Sequence, residues 1–215
     1  METIKPPKSL TDQTYDILLD AICTGELSPG DRLNQDDIAN RLNVSRQPVI
    51  SAISMLRANG FVEDTGRRGV IVTQVEAELF HPILEFRRVV EPFAAELAAS
   101  RFPSHARDEA AIVLRRGAEA AARSNIVELV QTDIEFHEMI YSWSANPVID
   151  TSMRVNWHHI RRYMGHVLRD LGGTSRIWAE HAAIVEAILS GDAQAARQEM
   201  HHHIETAGHR MINAL

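Results

Sequence analysis

Residues 33–75 constrain the fold of this 215-residue chain more than any other stretch. Apolar residues recur at helical spacing in two short segments, which are separated by a tight turn at Asn43-Val44. A glycine-containing turn then connects two short runs, 61–62 and 70–72, that read as paired strands. Two helices in a tight turn followed by a hairpin are typical of a winged helix-turn-helix, whose second helix enters a DNA major groove. We therefore predict a DNA-binding domain over residues 1–75.

The start of the second helix carries residue types that read DNA. Ser45 is suited to cap this helix, and Pro48 falls in the first turn, where its missing N–H costs nothing. An arginine at this position can bind guanine or a phosphate, and a glutamine can bind adenine. The free N–H groups of the helix N-terminus also attract a phosphate. The predicted DNA contacts in this helix are Ser45, Arg46, Gln47 and Pro48.

The tip of the hairpin is cationic. Arg67 and Arg68 precede Gly69, and this tip suits a phosphate or minor-groove contact. The net charge of −7 argues mildly against a nucleic-acid binder. DNA affinity depends, however, on the charges at the contact rather than on the total, and these arginines lie near the recognition helix. The alternative interpretation is a small α/β domain with a helical hairpin and a surface turn.

Composition indicates a cytoplasmic protein with a substantial core. Hydrophobic residues make up 45% of the chain, yet no run of 18 apolar residues predicts a membrane-spanning helix. The N-terminal residues METIKPPKSLTDQ lack the apolar region of a signal peptide. Cys23 is the single cysteine and cannot form an internal disulfide, which fits a reducing compartment.

Residues 76–215 are predicted to form a second, all-α domain. Ala, Leu, Glu and Arg dominate, no strand pattern is evident, and turn residues interrupt the sequence at intervals. Together with a first-domain helix at 9–24, the predicted helices span roughly 76–100, 105–123, 126–143, 147–171, 174–190 and 192–212. Pro82 is expected to split the first of these into a short and a long piece. Short connections favour an antiparallel all-α bundle, so the fold class is mostly α, with a small β-hairpin in the N-terminal winged helix-turn-helix.

Four residues of the predicted bundle form a candidate metal site. Asp133 and His137 are four residues apart and share a helix face, while His181 and His203 lie in the last two predicted helices. Three imidazoles and one carboxylate on facing helices suit a divalent ion of the Zn, Ni or Mn type. The chain has 11 histidines, however, and a core histidine is more often hydrogen-bonded than metal-bound. Spacing alone leaves both interpretations open.

Two pairs of adjacent arginines form a second candidate site. They lie at 87–88 in the first long bundle helix and at 161–162 in the fourth. Because neighbouring residues are about 100° apart on a helix, at least one of each pair should face the core, where an arginine needs an anionic partner. That partner is either a core glutamate such as Glu91 or a bound carboxylate ligand. The candidate effector-binding residues are Arg87, Arg88 and Arg161.

Specific motifs extend over nearly the whole chain. The N-terminal ones are Ile22-x-x-Gly25-x-Leu27-x-Pro29-Gly30-Asp31-x-Leu33, Ile38-Ala39, Val44-Ser45-Arg46-x-Pro48-Val49, Leu56-x-x-x-Gly60-Phe61-Val62 and the wing glycine Gly69. The C-terminal ones are Glu85-x-Arg87, Glu91-Pro92, Leu97-Ala98, Asp133-x-x-x-His137, Asn146-Pro147, Glu180-His181-x-x-Ile184, Gly191-Asp192 and Met200-x-x-His203. Taken together, these motifs resemble those of GntR-type regulators of the FadR subfamily.

The resemblance implies a regulator rather than an enzyme. Its C-terminal part would be an all-α FCD domain that dimerises and senses a small carboxylate or a related metabolite. In many such regulators an aspartate and three histidines hold a divalent metal, and these positions match Asp133, His137, His181 and His203. Arg87 matches an arginine that family members often direct at the effector. The expected protein is a cytoplasmic, homodimeric repressor that binds double-stranded operator DNA and no membrane; the alternatives are a regulator with the metal itself as effector, or a metal-dependent enzyme.

The chain departs from the family pattern at DNA-reading positions. Gln35 and Asp36 stand where an acid followed by an arginine is usual, and Ile50 stands where an arginine commonly follows the Pro-Val pair. Two usual DNA contacts are therefore missing, and we expect an operator that differs from the common one. Arg46, Gln47 and the hairpin must then read more of it, with Arg32 as the predicted replacement phosphate contact.

Overall fold

The computed structural model describes residues 8–66, 69–75, 77–167 and 174–212. The chain divides into two compact units, Met1–Val75 and Glu76–Leu215. The first unit contains helices α1 (Leu10–Thr24), α2 (Gln35–Leu42) and α3 (Arg46–Ala58) and strands β1 (Arg32–Leu33), β2 (Val62–Asp64) and β3 (Val70–Val72). The second contains helices α4 (Ala77–Arg101), α5 (Ala106–Ala122), α6 (Ile126–Trp143), α7 (Pro147–Val167), α8 (Thr174–Leu189) and α9 (Ala193–Ile212). The predicted fold class is confirmed.

The turn between α2 and α3 depends on a residue that leaves the helical path. Asn43 adopts a left-handed backbone with φ of 53°, and the Val44 N–H donates to the Ala39 carbonyl at 3.0 Å. This arrangement ends α2 and lets α3 begin three residues later. Ser45 occupies the N-cap position of α3, but in the described structure its side chain makes no capping hydrogen bond. The predicted capping bond is therefore wrong, and because Ser45 is exposed, water can satisfy its hydroxyl.

A three-stranded antiparallel sheet completes the first unit, with β3 between β1 and β2. Val62 pairs with Val72, and Arg32 pairs with Ile71. Gly60 has φ of 78°, a conformation that glycine adopts without strain, and it turns the chain from α3 into β2. The predicted hairpin is confirmed. The additional strand β1 is only two residues long, which is too short to produce a recognisable sequence pattern.

The core of the first unit lies between α1 and α3. Leu18 and Ile22 of α1 and Val49, Ile53 and Leu56 of α3 are almost completely buried. Each helix therefore buries one apolar stripe and exposes its opposite face. This packing holds α3 as a rigid element while its first residues remain accessible to a partner.

Helix α4 runs unbroken through Pro82 and Pro92, so the predicted split at Pro82 is wrong. A proline in a helix interior removes one backbone hydrogen bond and costs about 3 kcal/mol. The helix persists because it packs against α6, α7, α8 and α9, which compensates for the lost bonds. The other bundle helices lie within two residues of the predicted ranges where they are described. The predicted end of the fourth at 171 lies outside the described residues.

Large side chains from several helices form the core of the second unit. Trp143, Met153, Ile184 and Ile188 are at most 1% exposed. Alanines of α4 and α5 are buried as well, so these helices can approach their neighbours closely. Across the described ranges, no helix has both the length and the apolar character needed to cross a membrane.

Gly117 marks the closest approach between α5 and α8. A Cβ atom added at Gly117 would lie 2.0 Å from the ring of Trp178, a distance that no real contact permits. Trp178 is 6% exposed and packs edge-on against His181, with ring centroids 4.7 Å apart. The missing side chain at Gly117 therefore leaves room for the indole that supports His181.

We predict that Gly117→Ala destabilises the protein. Alanine is the better helix former by about 1 kcal/mol, but forcing Trp178 out of a packed core costs about 1–3 kcal/mol. The net loss should appear as a lower midpoint in urea unfolding. Ala118→Ser, on the exposed face of the same helix, is the matched control and should change stability by less than about 0.5 kcal/mol. Stabilisation by Gly117→Ala would contradict the close approach.

Candidate DNA-binding surface and metal centre

The N-terminal end of α3 presents three of its four predicted DNA-contacting residues to solvent. Ser45, Arg46 and Gln47 are exposed, whereas Pro48 is buried. Pro48 therefore packs inside the first unit and shapes the first turn of α3. The first turn contains no acidic residue, so its free N–H groups keep their attraction for an anion.

Arg46 is ion-paired with a residue of the preceding helix. Its Nε lies 3.0 Å from Oδ1 of Asp36, in the first turn of α2. The two side chains are 62% and 61% exposed, so both remain accessible at the surface. Asp36 thus occupies a position where the resemblance would place a DNA-reading arginine, and it contacts the main candidate reader.

Arg32 lies beside the end of the β2–β3 hairpin, which we call the wing. A Cβ atom at Gly69 would be 3.6 Å from the Arg32 guanidinium, which places this cation next to the end of the hairpin. Both the N–H and the hydroxyl of Thr65 donate to the Gly69 carbonyl, at 2.8 and 3.1 Å, and close the hairpin. The predicted contacts Arg67 and Arg68 lie outside the described residues.

The second unit brings three of the four predicted metal ligands together. One ring nitrogen from each of His137 (α6), His181 (α8) and His203 (α9) lies within 4.8 Å of the others, and the three side chains are at most 2% exposed. Asp133, one turn before His137, lies at the edge of this cluster, with its Oδ1 3.5 Å from His181 Nε2. Residues far apart in sequence thus converge in the bundle core.

The nitrogen spacing fits a shared ion. Nε2 of His181 lies 3.2 Å from Nε2 of His203. Two imidazole nitrogens bound tetrahedrally at 2.0–2.1 Å from one ion lie about 3.3 Å apart. This pair of nitrogens therefore has the spacing of two ligands on one ion, and the Asp133 carboxylate is an adjacent oxygen donor.

Two carboxylates orient the histidine rings. Glu91 Oε2 lies 2.6 Å from Nδ1 of His137, and Glu180 Oε2 lies 3.0 Å from Nδ1 of His203. At His203 the carboxylate engages Nδ1 and leaves Nε2 toward the cluster, the usual arrangement around metal-binding histidines. Nε2 of His137 also faces a cation, since it lies 3.4 Å from Nη2 of Arg87. Sequence reasoning gave Glu180 no role. It precedes His181 in the chain yet contacts His203 on another helix, and only the three-dimensional packing reveals this pairing.

Burial and charge set the protonation states of the cluster. Burial lowers the pKa of His181 well below its usual value, and the neighbouring histidines lower it further. Burial also lowers the pKa of His203, more than Glu180 raises it. Burial acts to raise the pKa of Glu91, but the charge of Arg87 and then that of His137 outweigh it and leave the carboxyl ionised. The lowered pKa values of His181 and His203 favour their neutral imidazoles, the form that binds a cation.

Arg87 faces the core, and its anionic partner is the core glutamate, one of the two partners that the sequence left open. It pairs with Glu91 one turn later, and its guanidinium lies 4.6 Å from the centroid of the Trp157 ring. Its Nη2 is also 3.4 Å from Nε2 of His137, so the cation borders the histidine cluster. Of the other arginines, Arg88 is half-buried, and its buried Nε has no hydrogen-bond partner among the described residues.

At the second arginine pair the structure buries Arg162, at 7% exposure, and leaves Arg161 half-buried. A helical pattern cannot show which of two adjacent arginines faces inward, and the predicted candidate was Arg161. Arg210 of α9 was not predicted; it binds Glu180 at 2.5 Å and thus also borders the cluster.

Comparison with known proteins identifies the family of both units. Residues 10–72 match the family described as "Bacterial regulatory proteins, gntR family", and residues 82–206 match the "FCD domain". The chain is 25% identical over 204 residues to the uncharacterized HTH-type transcriptional regulator YdhC of Bacillus subtilis, covering 87% of this chain and 84% of that protein. It is 23% identical over 209 residues to the HTH-type transcriptional repressor RspR of Escherichia coli, covering 94% and 89%.

A solved structure shows the same architecture. The crystal structure of a putative transcriptional regulator GntR from Rhodococcus sp. RHA1 superposes with a TM-score of 0.79 at 28% identity, covering 97% of this chain and 100% of that one. The helix-turn-helix and the helical bundle of the structure agree with the two family matches, which together cover nearly the whole length of this chain. The chain therefore belongs to the GntR family of bacterial transcriptional regulators, with a DNA-binding GntR domain and an FCD ligand-binding domain, and it is not an enzyme.

Proposed function

We propose that this regulator binds operator DNA as a homodimeric repressor and that a small carboxylate, held at a divalent metal ion in the FCD domain, controls that binding. The observation that carries the proposal is the buried cluster of His137, His181 and His203. One ring nitrogen of each lies within reach of a common point, and burial lowers the pKa of His181 and His203, which favours the neutral form that binds a cation. A shared cation satisfies all three at once.

In the proposed centre, the three histidines and Asp133 hold the ion, and Glu91 and Glu180 fix the ring orientations. Zn, Ni and Mn all fit this donor set. When bound, the ion would act as a Lewis acid that attracts carboxylate oxygens. The arrangement supports a binding role, because it places anionic and cationic side chains around one buried point.

The proposed effector is a small carboxylate because cations border the cluster. Arg87 reaches within 3.4 Å of His137, and Arg88 and Arg161 complete the proposed effector-binding set. Charged arginine donors bind carboxylates through strong paired hydrogen bonds. Mass spectrometry of the small molecule retained on the purified protein tests this class: a retained carboxylate supports it, and a retained cationic metabolite contradicts it.

The proposed dimer uses the exposed face of α4. Phe86, Val89 and Phe93 are 39%, 71% and 42% exposed, and their spacing places them on one helix face. Such a stripe is typical of a surface that is buried on association. Two chains paired in this way would present two recognition helices to the two halves of an operator.

Repression relieved by ligand is the proposed direction of control, and the relative RspR bears the description of a transcriptional repressor. An effector shifts operator binding only if it binds the DNA-competent and incompetent states with different affinity. Gel shifts with metal-free, metal-loaded and carboxylate-loaded protein separate the possibilities. Operator binding that follows chelation with no organic ligand would favour the metal itself as effector.

We predict that Arg46→Ala weakens binding to the DNA upstream of the protein's own gene by about tenfold to a hundredfold in gel shifts, because it removes a two-donor contact to a base. Arg115→Ala removes the same charge from an exposed position of α5 in the other unit and should leave binding unchanged. Unaltered binding by the Arg46→Ala protein would refute the role assigned to the start of α3.

We predict that His203→Ala abolishes stoichiometric metal binding, as measured by elemental analysis after mild purification. Glu180→Gln should weaken metal affinity about 10- to 100-fold, because losing the partner of a ligand nitrogen leaves that ligand less well oriented.

Two neighbouring residues provide matched controls for these variants. His202 lies beside His203 but is exposed, and Glu186 is exposed on the same helix as Glu180. His202→Ala and Glu186→Gln should retain metal at wild-type levels. Full metal content in the His203→Ala protein would refute the centre.

We predict that Val89→Glu converts the dimer to a monomer in size-exclusion chromatography with light scattering, because a buried unpaired carboxylate opposes association. Val127→Glu, at an isolated position that is 79% exposed, is the control and should remain dimeric. A Val89→Glu protein that stays dimeric at micromolar concentration would exclude this face of α4 as the interface.

A further inference from the structure

The pair between Asp36 and Arg46 has no evident role in stabilising the fold. Both side chains are more than 60% exposed, and ion pairs at such positions contribute little to stability because water screens them. The pair also joins two different helices at the surface that faces DNA. We therefore look for the effect of this pair in DNA recognition.

The geometry limits how Arg46 can bind a base. Asp36 Oδ1 lies 3.0 Å from Nε, so the carboxylate sits on the Nε side of the guanidinium, and the edge between the two terminal amino groups stays available. Arginine reads guanine through two N–H groups directed at O6 and N7. With Asp36 on the Nε side, the edge between the terminal amino groups is the one left for this contact, and the charge available to phosphates is partly neutralised.

The charge of Asp36 acts mainly against the wrong DNA. Non-specific binding depends on phosphate contacts, and a carboxylate beside the recognition helix repels phosphates and partly neutralises Arg46. On a cognate site, the guanine contact offsets this repulsion, whereas on other sequences nothing does. A repulsive group at the interface thus increases the difference between the two affinities.

We infer that Asp36 is a specificity-determining residue, which limits the contacts of Arg46 with phosphates and so disfavours sequences that lack its cognate base. The inference rests on the proposed role of Arg46 as a base reader. It also gives Asp36 a function at a position where the resemblance leads us to expect an arginine. Replacing that arginine removes one general DNA contact and increases the discrimination between DNA sequences.

The test compares two DNA probes by fluorescence anisotropy. One is a duplex that the wild-type protein selects from a random library, and the other is a scrambled duplex of the same composition. Asp36→Ala should bind the scrambled duplex several-fold more tightly and the selected duplex no more tightly. The ratio of the two affinities should therefore fall several-fold.

Asp37→Ala is the matched control. Asp37 is the next residue, is exposed in the same turn of α2, and its carboxylate forms no ion pair within the described part of the chain. Its removal changes the net charge equally, so both affinities should rise by the same small factor and the ratio should stay constant. If Asp36→Ala behaves like Asp37→Ala, the effect is charge alone and the inference is overturned.

A double-mutant cycle separates this inference from the proposal on which it rests. In the Arg46→Ala background, Asp36→Ala should have no more effect than Asp37→Ala, because the residue whose contacts Asp36 limits is gone. If Arg46→Ala leaves the selected duplex bound normally, the proposed reader is wrong. If Arg46→Ala loses that duplex while Asp36→Ala preserves the ratio, only the role of Asp36 is wrong. Circular dichroism confirms that each variant is folded.

Discussion

The second unit depends on one fully buried carboxylate. Glu91 accepts from Arg87 on its own helix and contacts His137 on α6, while Arg87 lies against Trp157 of α7. One acid thus links three helices and fixes the imidazole that faces the histidine cluster. Removing one partner of such a group typically costs about 3–5 kcal/mol, because the remaining charge stays buried without compensation. The bundle is consequently built around a polar centre rather than a uniformly apolar core.

The sequence was sufficient for most of the fold because nearly every element, the two-residue strand β1 excepted, carries its own local signal. The apolar stripe of α3, the turn at Asn43 and the positive φ at Gly60 are consequences of residues adjacent in the chain. The expected break at Pro82 is wrong for a physical reason. The local rule disfavours proline in a helix, but the packing of α4 against four other helices outweighs the lost hydrogen bond. The missing capping bond at Ser45 likewise reflects solvent competition, which spacing does not encode.

The candidate metal site could be predicted from the sequence only in part, and the reason is physical. The i to i+4 spacing places Asp133 and His137 on one face, but the meeting of three helices at the cluster is a tertiary property. The contact of Glu180 with His203, not with its sequence neighbour, follows from the same packing. Similarly, nothing in the sequence pairs Asp36 with Arg46, since the two lie on different helices across a turn.

Helix α4 connects the proposed metal centre to the proposed dimer surface. Its inner face holds Arg87 and Glu91 against the cluster, and its outer face exposes Val89 between two phenylalanines. A ligand that shifted the backbone of α4 at Arg87 would also shift the residues on the opposite face of the same helix. Packed cores do not deform continuously, so such a shift would select between discrete arrangements of the two chains. In the proposed mechanism, a carboxylate bound near Arg87 would thus act on operator binding through the pairing of the two chains.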